Sequence, residues 1–180
     1  MEFNRLVIDV LLPIFRENHF HIEDQFENYI KFKSEKTEII ISHNGLDQVN
    51  AVSIVAGKGF SYPIDEEVLR LIFQCDVKID NVVPEVFVKD LRLFFEDKGK
   101  PLLEGDALVL ELIVKHIDKA SKEYTTTLIN SQNLEAADRA WEDTDYSNFI
   151  KYIDTIGLLN IPSSYQLKYR IAQKKAAHSK

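Results

Sequence analysis

Residues 20–63 read FHIEDQFENYIKFKSEKTEIIISHNGLDQVNAVSIVAGKGFSYP, and their patterning decides the fold. Side chains on a strand alternate between faces, so apolar residues at every second position give one face for a core and one for water. Phe20, Ile22 and Phe26 begin such a pattern, and Ile30 and Phe32 continue it against Tyr29, Lys31 and Lys33. Residues 38–41 and 49–55 complete it, with Ser34-Glu35-Lys36, Asn44-Gly45 and Gly57-Lys58-Gly59 as turn signals. The reading is an antiparallel meander of three or four strands whose apolar face packs on helices.

The flanking sequence has the helical period. Phe3, Leu6, Val7, Val10, Leu11, Ile14 and Phe15, with Arg5, Asp9, Arg16 and Glu17 between them, predict an amphipathic helix that Pro13 kinks or shortens. After the meander, Asp65 is an N-cap residue and Glu66 and Glu67 complement the positive end of a helix running to about residue 74. A short extended piece is expected at residues 77–79. Pro84 opens a helix carrying Phe87, Val88, Leu91, Phe94 and Phe95, closed by Gly99 and Pro101. Asp106 caps another, with Leu108, Val109, Leu112, Ile113, His116, Ile117 and Ala120 inward, fading into polar residues 125–133, read as a linker or exposed loop. Residues 134–141, 146–156 and 163–174 predict three more helices. The fold class is α+β: an N-terminal helix, the meander, then a helix-rich C-terminal half packed on it. The sheet portion spans residues 1–80 and the helical portion 84–180, in one continuous domain.

At 180 residues, 45% apolar and 28% charged, the chain can bury a core without disulfides or metal. The single Cys75 lies in the apolar stretch of residues 71–75 and is expected to be a buried thiol in a reducing compartment. The N-terminus lacks the pattern of a signal peptide, and no apolar run approaches the roughly 20 residues of a membrane helix, so a cytoplasmic location is expected. The net charge of −7 is uneven: residues 155–180 carry five bases and no acid, while residues 1–154 carry 17 bases against 29 acids. Such a body repels phosphate backbones and anionic lipid. The expected partner is a basic protein, neither nucleic acid nor membrane.

Catalytic motifs are missing. Gly57-Lys58-Gly59 follows a strand, yet the spacing GxxxxGK[ST] is absent and the next helix opens on Asp65-Glu66-Glu67, which repels an anion, so the segment reads as a hairpin turn. His19 and His21 share a side if residues 19–23 are extended, and with His43 on a neighbouring strand and Glu23 nearby they would make a conceivable metal site. The pair has no diagnostic second pair, so neither metal nor other cofactor is expected. His116 lies on an apolar helix face as a core or boundary side chain. The carboxylates that meet a basic partner are taken to be Asp65, Glu66 and Glu67 at one helix start and Glu142, Asp143 and Asp145 between two helices, where helix capping is the plainer role. The competing readings are a hydrolase using His and carboxylates between sheet and helices, and a scaffold or chaperone-like subunit.

Ala136-Ala137-Asp138-Arg139-Ala140-Trp141, then Asp145-Tyr146 with Phe149, Ile150 and Ile153, then Pro162, resembles a single tetratricopeptide unit. Phe149 stands where that family has a small residue and no second copy is present, so the resemblance implies a helical hairpin and not an array. In element order, size and charge the chain resembles immunity proteins of polymorphic-toxin and contact-dependent inhibition systems, which implies neutralisation of a basic toxin domain. Over its first half it is also similar to the secretion chaperones, with their helix, antiparallel sheet and helix.

Overall fold

A computed structural model describes residues 3–56 and 59–178. Helix α1 (Phe3–Glu17) precedes strands β1 (His21–Phe26), β2 (Tyr29–Lys33), β3 (Glu38–Asn44), β4 (Val49–Ala56) and β5 (Phe60–Pro63). Helices α2 (Glu66–Ile72), α3 (Pro84–Glu96), α4 (Lys100–Glu104), α5 (Ala107–Glu142) and α6 (Tyr146–Ile156) follow, then a 3₁₀ turn (Leu158–Asn160) and α7 (Ser163–His178). The fold is α+β. Two compact units divide the chain, Met1–Asp118 and Lys119–Lys180.

In the first unit all five strands pair antiparallel in sequence order. The meander thus has one strand more than expected: four-residue β5 ends on a proline, a weak strand signal, yet Ile54 pairs with Tyr62 and Ala56 with Phe60. Alternation along β2, β3 and β4 buries Ile30, Phe32, Ile39, Ile41, Val52 and Ile54 on one face. Helix α1 covers that face with Val7, Leu11 and Phe15, at a spacing of four residues, and continues through Pro13 without a break. The Phe15 ring meets Phe32 of β2 edge-on at 4.6 Å and Phe95 of α3 edge-on at 5.0 Å, so one side chain joins three elements. Phe87, Val88, Leu91 and Phe94 of α3 bury the rest of that helix face. Residues 80–84, where sheet and helical portions were divided, lie inside this unit because α3 packs into its core.

Four local expectations are corrected. Helix α2 stops at Ile72, since Phe73 is its C-cap and Gln74 takes a left-handed φ of 52°, and residues 77–79 form no strand. Leu108, Leu112 and Ala120 do not face inward: Leu108 and Leu112 are 72% and 54% exposed and Ala120 is exposed too, while Ile113 is fully buried. Residues 125–133 are neither linker nor loop but the middle of α5. The hydroxyls of Thr125, Thr126 and Thr127 donate to the carbonyls four residues back at 2.8, 2.8 and 2.9 Å, satisfying polar side chains within the helix. Gly57 and Lys58 of the expected hairpin turn lie outside the described residues.

In the second unit, Ala137 and Ala140 of α5, Phe149, Ile153 and Ile156 of α6, Ile161, and Tyr169 and Ala172 of α7 form a separate small core. Small residues on α5 leave room for Trp141 to meet Phe149 at 5.2 Å and Tyr146 edge-on at 5.6 Å.

Candidate functional site

A cleft of about 740 Å³ opens where α1 ends, lined among others by Glu17, His19, His21, Glu35, Lys36 and Glu104. One wall follows from how α1 terminates. The Phe20 N–H donates to the Phe15 carbonyl at 2.9 Å and the His19 N–H to that of Arg16 at 3.0 Å, a six-to-one and five-to-two pair that places His19 at φ 65°. Glycine is the usual residue there, and the Phe15–Phe20 ring contact at 5.4 Å supplies the accompanying apolar lock. The turn between β2 and β3 supplies Ser34, Glu35 and Lys36 to the lining. Ser34 Oγ accepts from the Lys36 and Thr37 N–H groups at 3.3 and 3.2 Å, Thr37 Oγ1 donates to the Leu102 carbonyl at 3.4 Å, and Lys36 Nζ donates to the Glu104 carbonyl at 3.0 Å. The lining thus holds three carboxylates, two imidazoles and one ammonium that is already engaged. Such a cleft favours a cation.

His43 is not part of it. Its Nδ1 lies 3.0 Å from Asn50 Oδ1 on β4, and its ring stacks on Phe3 at 5.6 Å. Among the described residues no group of three or more His, Cys, Asp or Glu is arranged to hold a metal ion.

The acids at the start of α2 are divided in role. Asp65 accepts from the Val68 N–H at 2.8 Å as the N-cap. Glu66 accepts from Lys78 Nζ and the Ile79 N–H, both at 3.0 Å, and from the Asp80 N–H at 3.2 Å. Lys78 first, then the Ile79 amide, hold its carboxyl below the usual carboxylate range. Glu67 is exposed and lines a second cleft of about 510 Å³ together with Glu66, Arg70, Cys75, Asp76 and Lys78. Cys75 is half-buried there, not fully buried as expected.

In the second unit Asp145 caps α6, accepting from the Asn148 N–H at 3.1 Å and its side-chain amide at 2.7 Å, which lower its carboxyl pKa in that order. Glu142 and Asp143 are exposed at the end of α5. The two acidic groups singled out from sequence thus belong to different units.

Two charged clusters were not anticipated. Glu23, Lys31, Lys33 and Glu38 form four ion pairs of 2.5–3.0 Å across β1, β2 and β3. Hydrogen bonds from Lys31 and Lys33 hold the Glu23 carboxyl down at about 2, and the same bonds raise both lysines. The outward alternation of Lys31, Lys33 and Glu38 was the available signal, but the bulge between Ile22 and Asp24 hid the register that brings Glu23 to them. In the second unit Asp138 accepts from Tyr165 and from Lys168 at 3.0 Å, while Lys168 sits over the Trp141 and Tyr165 rings at 5.5 and 5.1 Å. Burial and then Asp138 push the Tyr165 hydroxyl up to about 12.

The charge is divided by unit. The first carries 22 acids against 13 bases, a net of −9, and the second 7 acids against 9 bases, a net of +2. Within the described first unit Lys31, Lys33, Lys78, Arg92 and Lys115 are all held in ion pairs, whereas Glu17, Glu35 and Glu104 of the cleft are in none. No helix among the described residues is long and apolar enough to cross a membrane. No protein-family model matches this chain significantly, and neither does any curated protein or solved structure it was compared with.

Proposed function

We propose that this chain is a protein-binding module whose acidic first unit engages a cationic protein, in the manner of an immunity protein neutralising a basic toxin domain. The observation that carries the reading is the net charge of −9 on the first unit, with three carboxylates around an open cleft that are in no ion pair among the described residues. A field of one sign over a concave surface draws an oppositely charged partner into encounter and discriminates against acidic ones. Glu17, Glu35 and Glu104 offer docking points for lysine or arginine side chains. The test is affinity capture at low and high salt with the wild-type chain and with Glu17→Lys/Glu35→Lys/Glu104→Lys, followed by co-expression of the captured protein in a growth assay. Retention of a basic protein by the wild type alone, and rescue of growth by the wild type alone, support the reading. Equal retention by the charge-reversed chain, or an acidic captured protein, contradicts it.

A second reading has one observation in its favour: His19 and His21 line the same cleft as Glu17, Glu35 and Glu104, the residue types a hydrolase uses for general acid and base work. It is separated from the first by assaying ester, phosphoester and peptide substrates with the wild type and with His19→Ala/His21→Ala. Turnover that both substitutions abolish favours the enzyme; partner binding that survives both favours the module.

A further inference from the structure

We infer that proton uptake by His19 and His21 releases the cationic partner, so that the cleft at the end of α1 binds at neutral pH and lets go in mild acid. The inference rests on the cationic-partner reading and names what regulates that same site.

The charged and titratable side chains of the lining are Glu17, His19, His21, Glu35, Lys36 and Glu104. With both imidazoles neutral their charges sum to −2, three carboxylates against one ammonium; with both protonated the sum is zero. Imidazole is the side chain whose charge ordinarily changes between about pH 5 and 8, a range in which free carboxylates and ammoniums keep theirs. Acidification therefore removes the attraction of the lining for a cation and leaves its shape alone. Both imidazoles are exposed, on either side of the buried Phe20 that anchors the segment against Phe15. The groups around them come from four elements: Glu17 from α1, Glu35 and Lys36 from the turn after β2, Glu104 from α4, and Lys33, which pairs in register with His21 across β1 and β2. Lys36 is engaged by the Glu104 carbonyl, and Lys33 by Glu23 and Glu38 at 2.5 and 3.0 Å, so the two imidazoles are the groups left to change the charge of the lining. Of the other described histidines, His43 is held by Asn50 and Phe3, and His116 lies on α5.

Isothermal titration calorimetry of the full chain with a short oligolysine peptide, at about pH 7.5 and about pH 5.5 and a constant ionic strength of about 50 mM, tests it. The wild-type affinity should fall about tenfold or more on acidification. In His19→Asn/His21→Gln, where asparagine suits the left-handed backbone of residue 19, the two affinities should differ by less than about twofold, whereas His116→Gln should keep the wild-type ratio. Linkage requires the reverse effect as well: saturating peptide should move the His19 and His21 titrations, followed by NMR, to lower pH. A peptide that does not bind at the higher pH, or that binds Glu17→Gln/Glu35→Gln/Glu104→Gln as tightly as the wild type, overturns the cationic-cleft reading and this inference together. A peptide that needs the three carboxylates but binds equally at both pH values, or whose pH dependence survives in His19→Asn/His21→Gln, overturns this inference alone.

Discussion

His43 Nδ1 and Asn50 Oδ1 lie 3.0 Å apart on neighbouring strands, and this contact fixes what each residue does. Asn50 is 2% exposed and spends both amide hydrogens on the Ile79 and Val82 carbonyls, at 3.1 and 2.8 Å. Its oxygen is left only as an acceptor, so His43 donates from Nδ1 and the pair ties β3 and β4 to the segment before α3. Asn50→Ala orphans three polar groups, and at about 1–3 kcal/mol for a buried unsatisfied group the loss of stability should be at least about 2 kcal/mol by urea denaturation. A loss below about 0.5 kcal/mol would show that the network is not buried as described.

The ion-pair cluster on the sheet gives a pH dependence of definite sign. The Glu23 carboxyl is lowered from 4.5 to about 2, so the stability it contributes is present in full above 4.5 and is lost as pH falls toward 2. Glu23→Gln should therefore be less stable than the wild type at neutral pH, and the gap should close below pH 4.5 as the wild-type carboxyl is protonated. Added salt should narrow the same gap, because all four side chains are partly exposed. A difference independent of both pH and salt would mean that packing, not charge, is at stake.

Thr126→Pro discriminates helix from loop in residues 125–133. A loop accepts proline readily, whereas the interior of α5 loses a backbone hydrogen bond and about 3 kcal/mol. Circular dichroism should show reduced helicity, and an unchanged spectrum would restore the loop reading.

Gly105 sits at φ 65° where the chain leaves α4, and a Cβ there would meet the Lys36 side chain at 2.6 Å. Gly105→Ala should cost at least about 1–2 kcal/mol from the left-handed backbone alone. It should also disturb the turn of residues 34–37 that walls the cleft. Thermal melting reads the first effect, and amide chemical shifts of residues 34–37 read the second.

Much of the fold was legible because period and burial agree. Ile30 and Phe32 alternate with polar neighbours in sequence and are buried, and Phe87, Leu91 and Phe94 recur with the helical period and are buried, whereas in the unbroken run of residues 39–41 only the structure shows that Ile39 and Ile41 face the core. Where local signals misled, a tertiary or side-chain effect had overridden them. The polar run of residues 125–133 resembles a loop in composition, but neither glycine nor proline falls between Gly105 and Gly157, and threonine hydroxyls find acceptors inside the helix. The candidate site was legible only in parts. Asp65 and Asp145 announce themselves as caps by position, but that Glu66 clasps residues 78–80 is a long-range fact, as is the separation of His43 from His19 and His21.

The measurement nearest the central claim is the association rate of the captured cationic partner with the full chain, by stopped flow, across a salt series. If the acidic first unit steers the encounter, the rate falls steeply with ionic strength, and Glu17→Lys/Glu35→Lys/Glu104→Lys lowers the low-salt rate by about tenfold or more while flattening the slope. A wild-type rate that varies by less than about twofold over the series, or a charge-reversed chain that binds as fast as the wild type, would contradict it.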